Sequence, residues 1–214
     1  MDEDIAIINR ETRNDKIKNF FIKNKKKIII SILVIILTIF GYFIYEDFNR
    51  KSKTKLANRY NIVKVNFITE NKSMVANELV SIVHEKNRTY SPLALYFLID
   101  NNIISDKNKI NELFDTVINE TSLEKEIKNL LIYKKALFNS DFESENNLLI
   151  ILKPIINSNS IWKSHALYLM AEYFYFKNEK QKSKDFFEQI ITLENVNSKI
   201  KRETQKRLNR DFSE

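Results

Sequence analysis

Cysteine is absent from this 214-residue chain, which removes a disulfide framework, thiol catalysis and a thiolate metal site together. Glycine occurs once and proline twice, far too few for the tight turns of a strand-rich fold, so the chain reads as helical. The single glycine, Gly41, lies inside an apolar run. A phosphate-cradling loop, a nucleophile elbow and a dinucleotide fingerprint all need more glycine than that. The two histidines, His84 and His165, are distant in sequence and sit in separate helical patterns, which is no ligand set. The carboxylate pairs Glu124/Glu126 and Glu143/Glu145 fall at helix starts, where acidic side chains complement the helix dipole. The expectation is a protein with no catalytic residues, no cofactor and no metal.

Charge is also missing from Ile28 to Tyr45, IIISILVIILTIFGYFIY. Those 18 residues of helix would rise about 27 Å, close to the roughly 30 Å hydrocarbon layer of a bilayer. Lys18, Lys23, Lys25, Lys26 and Lys27 stand before the run, Glu46 and Asp47 close it, and Tyr42 and Tyr45 fall at headgroup level. No small-x-small cleavage site follows, so an uncleaved anchor is expected. The run has neither a GxxxG face nor an ionisable residue, which argues against tight pairing of spans or a proton path. Residues 1–15 read as a disordered polar tail and 16–27 as a basic juxtamembrane segment, with Ile17, Phe20 and Phe21 on one face. Within 15 residues of the run, the N-terminal flank holds 7 Lys/Arg and the C-terminal flank 5, which favours a cytoplasmic N-terminus.

The net charge is +7. Residues 1–45 carry 8 Lys/Arg against 5 Asp/Glu, and the remainder 27 against 23, too mild a surplus for a nucleic-acid footprint. From residue 46 onward apolar positions recur every three or four residues and predict helices at 47–68, 73–86, 92–102, 107–119, 122–139, 145–157, 161–177, 180–193 and 197–211. Expected starts are Ser73, Ser91 before Pro92, Thr121 with Glu124 as a capping box, and Ser160. With glycine missing, Asn139, Asn178 and Asn195 are the expected left-handed stops. Pro154 must kink or shorten its helix.

The stretch His165–Asn195, HALYLMAEYFYFKNEKQKSKDFFEQIITLEN, resembles a tetratricopeptide repeat. On that pattern Leu167, Met170, Ala171 and Phe174 face Ser183, Phe187 and Ile190. Matching the small second-helix position upstream gives Glu145, Ile110 and Ala76, at spacings of 38, 35 and 34 residues. The basic helix 197–211 reads as a polar cap on the stack. A short tail, a lysine-flanked span and a degenerate repeat array over 46–214 together resemble the YfgM-like family, ancillary subunits of the SecYEG translocon. The residues that carry the likeness are Asn14–Lys27, Tyr42–Asp47 and His165–Asn195.

That resemblance implies an all-α chain, an N-terminal transmembrane helix followed by a degenerate tetratricopeptide-like solenoid. It implies a bacterial inner-membrane location with the C-terminal domain periplasmic, and protein partners: the SecYEG translocon and periplasmic chaperones. It also implies a groove lined by the first helix of each pair, formed by Tyr168, Glu172 and Tyr175 with Leu130, Lys134 and Leu137 beside them. The alternative for Tyr168 and Tyr175 is packing against the next helix pair. The alternative for the chain is a structural subunit or adaptor of another envelope complex, in assembly or division.

Overall fold

In a computed structural model, residues 2–67 and 71–212 are described, with side chains from Lys18 onward except Asn49. Nine α-helices and no strand occur among them: α1 Asp2–Asn66, α2 Lys72–His84, α3 Tyr90–Asp100, α4 Lys107–Glu120, α5 Lys125–Asn139, α6 Glu145–Ile156, α7 Lys163–Phe176, α8 Lys180–Ile191 and α9 Ser198–Asp211. The chain divides into two compact units, Met1–Ala57 and Asn58–Glu214.

The first unit is helix α1 alone. From Lys18 onward α1 contains a window long and apolar enough to cross a membrane, and none of that window is buried. Two of its polar side chains bond back to the helix's own carbonyls, as an apolar environment favours. Thr38 donates to the Val34 carbonyl at 2.8 Å, and upstream Asn24 donates to the Phe20 carbonyl at 3.0 Å. A Cβ added at Gly41 would meet nothing within 4 Å. Past the apolar run, Asp47 pairs with Arg50 at 3.0 Å and Lys51 at 2.7 Å. The separate helix expected at 47–68 is corrected: α1 continues unbroken to Asn66, because no proline interrupts it and the Asp47 carboxylate pairs with Arg50 and Lys51 instead of capping a new start. The disordered tail assigned to residues 1–15 falls on Met1 and on side chains that lie outside the described residues, and α1 starts at Asp2.

The second unit opens with the last turns of α1. There the Arg59 Nε donates to Glu78 at 2.7 Å, Nη1 to Glu85 at 2.7 Å and Nη2 to Ser81 at 2.9 Å, tying this turn to α2. The Glu78 hydrogen bond raises the guanidinium pKa, against a smaller opposing effect of burial. Helix α2 then packs most closely on α3, α5 on α6, and α7 on α8, and among the described residues of this unit the close packings join helices no more than two places apart along the chain. The core is aliphatic on α2 (Val75, Leu79, Ile82, Val83) and mixed with phenylalanine further on (Phe114 of α4, Phe174 of α7, Phe187 of α8).

Helix boundaries follow the expected pattern within a few residues, but several caps differ. Asn71, not Ser73, caps α2 by accepting from the Ser73 N–H. Ser91 lies inside α3 and donates to the Ile82 carbonyl, while the Asn87 side chain accepts from the N–H groups of Thr89 and Tyr90. Thr121 makes no capping box, since α5 begins after Glu124 and the buried Thr121 hydroxyl has no hydrogen-bond partner. Ser160 accepts from the Trp162 N–H and donates to Glu126 at 2.7 Å, but it does not cap α7, which begins at Lys163 after Trp162. The left-handed residues among those described are Lys86, Asn102 and Asn178, so Asn139 and Asn195 are corrected. Asn139 instead ends α5 and exchanges amide hydrogen bonds of 2.9 and 2.8 Å with Asn111. Pro154 is accommodated in the last turn of α6, which stops at Ile156.

Candidate protein-binding groove

The α7–α8 pair sets the geometry. Ala171 and Ser183 are small and fully buried, so the two backbones approach closely enough for Ser183 Oγ to donate to the Ala171 carbonyl at 2.8 Å. Leu167, Ala171, Phe187 and Ile190 form one buried cluster, and Met170 and Phe174 are buried beside it. All seven contact positions read from the repeat pattern are therefore inside. The upstream matches are uneven. Ala76, Ile110 and Ser183 fall four or five residues into their helices, but Glu145 is the first residue of α6 and pairs with Lys182 at 2.9 Å.

Of the six expected groove residues, Glu172 and Tyr175 are covered by α9 and the Phe212 that follows it, and Tyr168 packs on α8. Arg207 Nη2 donates to Glu172 at 3.0 Å, and Nε stands 2.9 Å from the other carboxylate oxygen, too poorly aligned to count as a hydrogen bond. The guanidinium carbon lies 4.2 Å from the Tyr175 ring centre, and Phe212 meets Tyr175 edge-on at 6.0 Å. Tyr168 packs edge-on against Phe187 at 5.4 Å. Burial, and then the adjacent Glu172 carboxylate, push its phenol up to about 12. Glu172 and Tyr175 thus meet α9, whereas Tyr168 meets α8, the second helix of its own pair.

The other three lie on α5 and behave differently. Leu130 is half-buried, whereas Leu137 keeps 48% of its surface exposed. Lys134 reaches to α3 and holds its ammonium 4.4 Å from the Tyr96 ring centre, a cation–π contact. Lys134 and Leu137 line a cavity of about 220 Å³ with Tyr96, Ile99 and Asp100 of α3, Phe114 of α4 and Phe138 of α5. Phe114 is 1% exposed and meets Phe138 at 6.1 Å, so the floor is rigid and aromatic. Burial, and then the charge of Asp100, push the Tyr96 phenol up to about 12, so it stays a neutral hydrogen-bonding group at any physiological pH. The α3 and α4 residues of this pocket were missed in the sequence. The available signal was Tyr96 and Asp100, one helical turn apart on a face beside Lys134's helix.

Among the described residues no group of three or more His, Cys, Asp or Glu stands close enough to hold a metal ion. His165 is enclosed by aromatic rings, Trp162 at 5.1 Å and Tyr133 at 5.9 Å. Burial lowers its pKa below the usual histidine value, partly opposed by a backbone hydrogen bond. The sign follows directly. Above the unfolded pKa of about 6.5 both states are neutral and the contribution to stability is complete; as pH falls through that value the unfolded chain takes up the proton first, and stability is lost. The melting temperature is expected to fall between pH 7.5 and 5.5, and to fall less in His165→Phe, which keeps the aromatic packing. Equal slopes in thermal melts of the two proteins would exclude this role. No family model, curated protein or solved structure matches the chain.

Proposed function

We propose that this chain is a membrane-anchored helical scaffold, arranged as a degenerate tetratricopeptide-like solenoid, that holds a protein partner against the pocket between α3 and α5. One observation carries the reading: Lys134 and Leu137 border an aromatic-floored pocket that no described helix fills, while the equivalent face of α7 is closed by α9. Partner anchors are characteristically large side chains seated in such desolvated pockets. The exposed apolar window of α1 supports the anchor, and the lysine-rich flank before it supports a cytoplasmic N-terminus with the domain in the periplasm of a bacterial inner membrane. The more specific role, an ancillary SecYEG subunit reaching periplasmic chaperones, rests on the family resemblance.

A photo-crosslinking residue at Leu137 in living cells tests this. The expected result is one discrete protein adduct that is absent when the probe sits at exposed Glu188 on α8. A translocon subunit or chaperone in the adduct supports the specific role. No adduct at Leu137 overturns the groove. It would favour the second reading, a structural subunit of another envelope complex, for which the α9-covered side chains Glu172 and Tyr175 are the supporting observation.

A further inference from the structure

We infer that the α3–α5 pocket takes a single large apolar side chain from a partner segment that carries a carboxylate next to it, and that Lys134 recognises the carboxylate. The inference rests on the scaffold reading above and specifies the partner's chemistry. Size comes first. A cavity of about 220 Å³ walled by Tyr96, Phe114, Phe138 and Leu137 suits one aromatic or branched side chain. For comparison, an apolar protein cavity of about 150 Å³ accommodates benzene. A whole helix or a nucleobase with its sugar and phosphate would not enter it.

Charge at the mouth gives the second half. Lys135, the neighbour of Lys134 on α5, already pairs with Asp115 at 2.7 Å. Among the described residues Lys134 has no carboxylate within ion-pair distance, and its ammonium rests on the Tyr96 ring. Asp100 lines the same pocket and is likewise outside any ion pair among the described residues, including one with Lys134. The mouth therefore carries one unpaired ammonium, resting on the Tyr96 ring, and one unpaired carboxylate, Asp100, a helical turn further along α3. An incoming carboxylate is drawn to the first and repelled by the second, which fixes the direction in which a segment lies across the pocket. Lys134 has only to exchange a ring contact for a charge-assisted hydrogen bond, the stronger of the two interactions.

The probes are two end-capped hexapeptides that differ only in having aspartate or lysine beside a central phenylalanine. They are titrated into the full chain in lipid nanodiscs while the methyl resonances of Leu137 are followed. The aspartate peptide is expected to bind at least about tenfold more tightly at low salt, the ratio given by about 1.4 kcal/mol. Lys134→Glu should invert that order. Lys134→Met, which keeps the aliphatic stem, should erase the preference without inverting it, and it guards against a folding defect in the charge reversal. Equal affinities, an order unchanged by Lys134→Glu, or no shift of Leu137 with either peptide at millimolar concentration would each overturn the inference. A Leu137 crosslink that survives Lys134→Glu would remove this inference alone and leave the scaffold standing. Absence of any crosslink removes the scaffold.

Discussion

Phe187→Ala will lower the melting temperature of the helical domain by about 10 °C. The ring is fully buried between Tyr168 at 5.4 Å and Phe212 at 6.0 Å, and it closes the cluster of Leu167, Ala171 and Ile190. Truncating a phenylalanine in such a site costs about 3–5 kcal/mol, because the lost transfer energy is joined by the cavity left behind. In a domain of this size each kcal/mol moves the midpoint by about 2–4 °C. Neighbouring Phe186 is only half-buried and stacks on Phe174 at 5.4 Å, so Phe186→Ala should cost clearly less. Circular dichroism melts of the three proteins decide it. A shift for Phe187→Ala no larger than for Phe186→Ala would mean that α8 does not hold its place through this ring.

Two arginines in the apolar run of α1 will release the chain from the membrane proposed to hold it, where one will not. The run 28–45 contains 13 Ile, Leu, Val and Phe residues, each worth about −0.3 to −0.6 kcal/mol on the insertion scale, or roughly −4 to −8 in total. One central arginine costs about 2.5–3.5 kcal/mol and leaves a favourable balance. Ile35→Arg should therefore remain in the membrane pellet after alkaline extraction. Ile35→Arg combined with Leu37→Arg brings the sum near zero, and most of the protein should move to the soluble fraction. Retention of the double variant would show that something other than the apolar run holds the chain at the membrane.

The helix positions were legible because apolar spacing is a direct imprint of burial: Leu167 and Ala171 on α7 are four residues apart, Phe187 and Ile190 on α8 three, and all share one core. The continuous α1 was not legible, since the sequence changes from apolar to charged at Glu46 while the backbone has no reason to stop there. Caps were read poorly for a physical reason. Serine, threonine and asparagine all accept backbone N–H groups, so Asn71 and Asn87 could take work assigned to Ser73 and Ser91. Lys86 adopts a left-handed conformation that its side chain gives no cause to expect. For the pocket, the repeat register singled out Lys134 and Leu137 of α5, but Tyr96 comes from α3 and Phe114 from α4. No spacing within one helix announces a cavity shared by three.

The packing of each helix only on its near neighbours along the chain has a consequence in time. A pair such as Lys163–Ile191 needs on the order of seconds to synthesise at about 5–20 residues per second, whereas helices form in microseconds or less. Every partner a helix needs has already emerged, or follows within the next two helices. The domain can therefore build itself from its N-terminal end while the rest is still being made. It never exposes a long unsatisfied core that waits for the last residues.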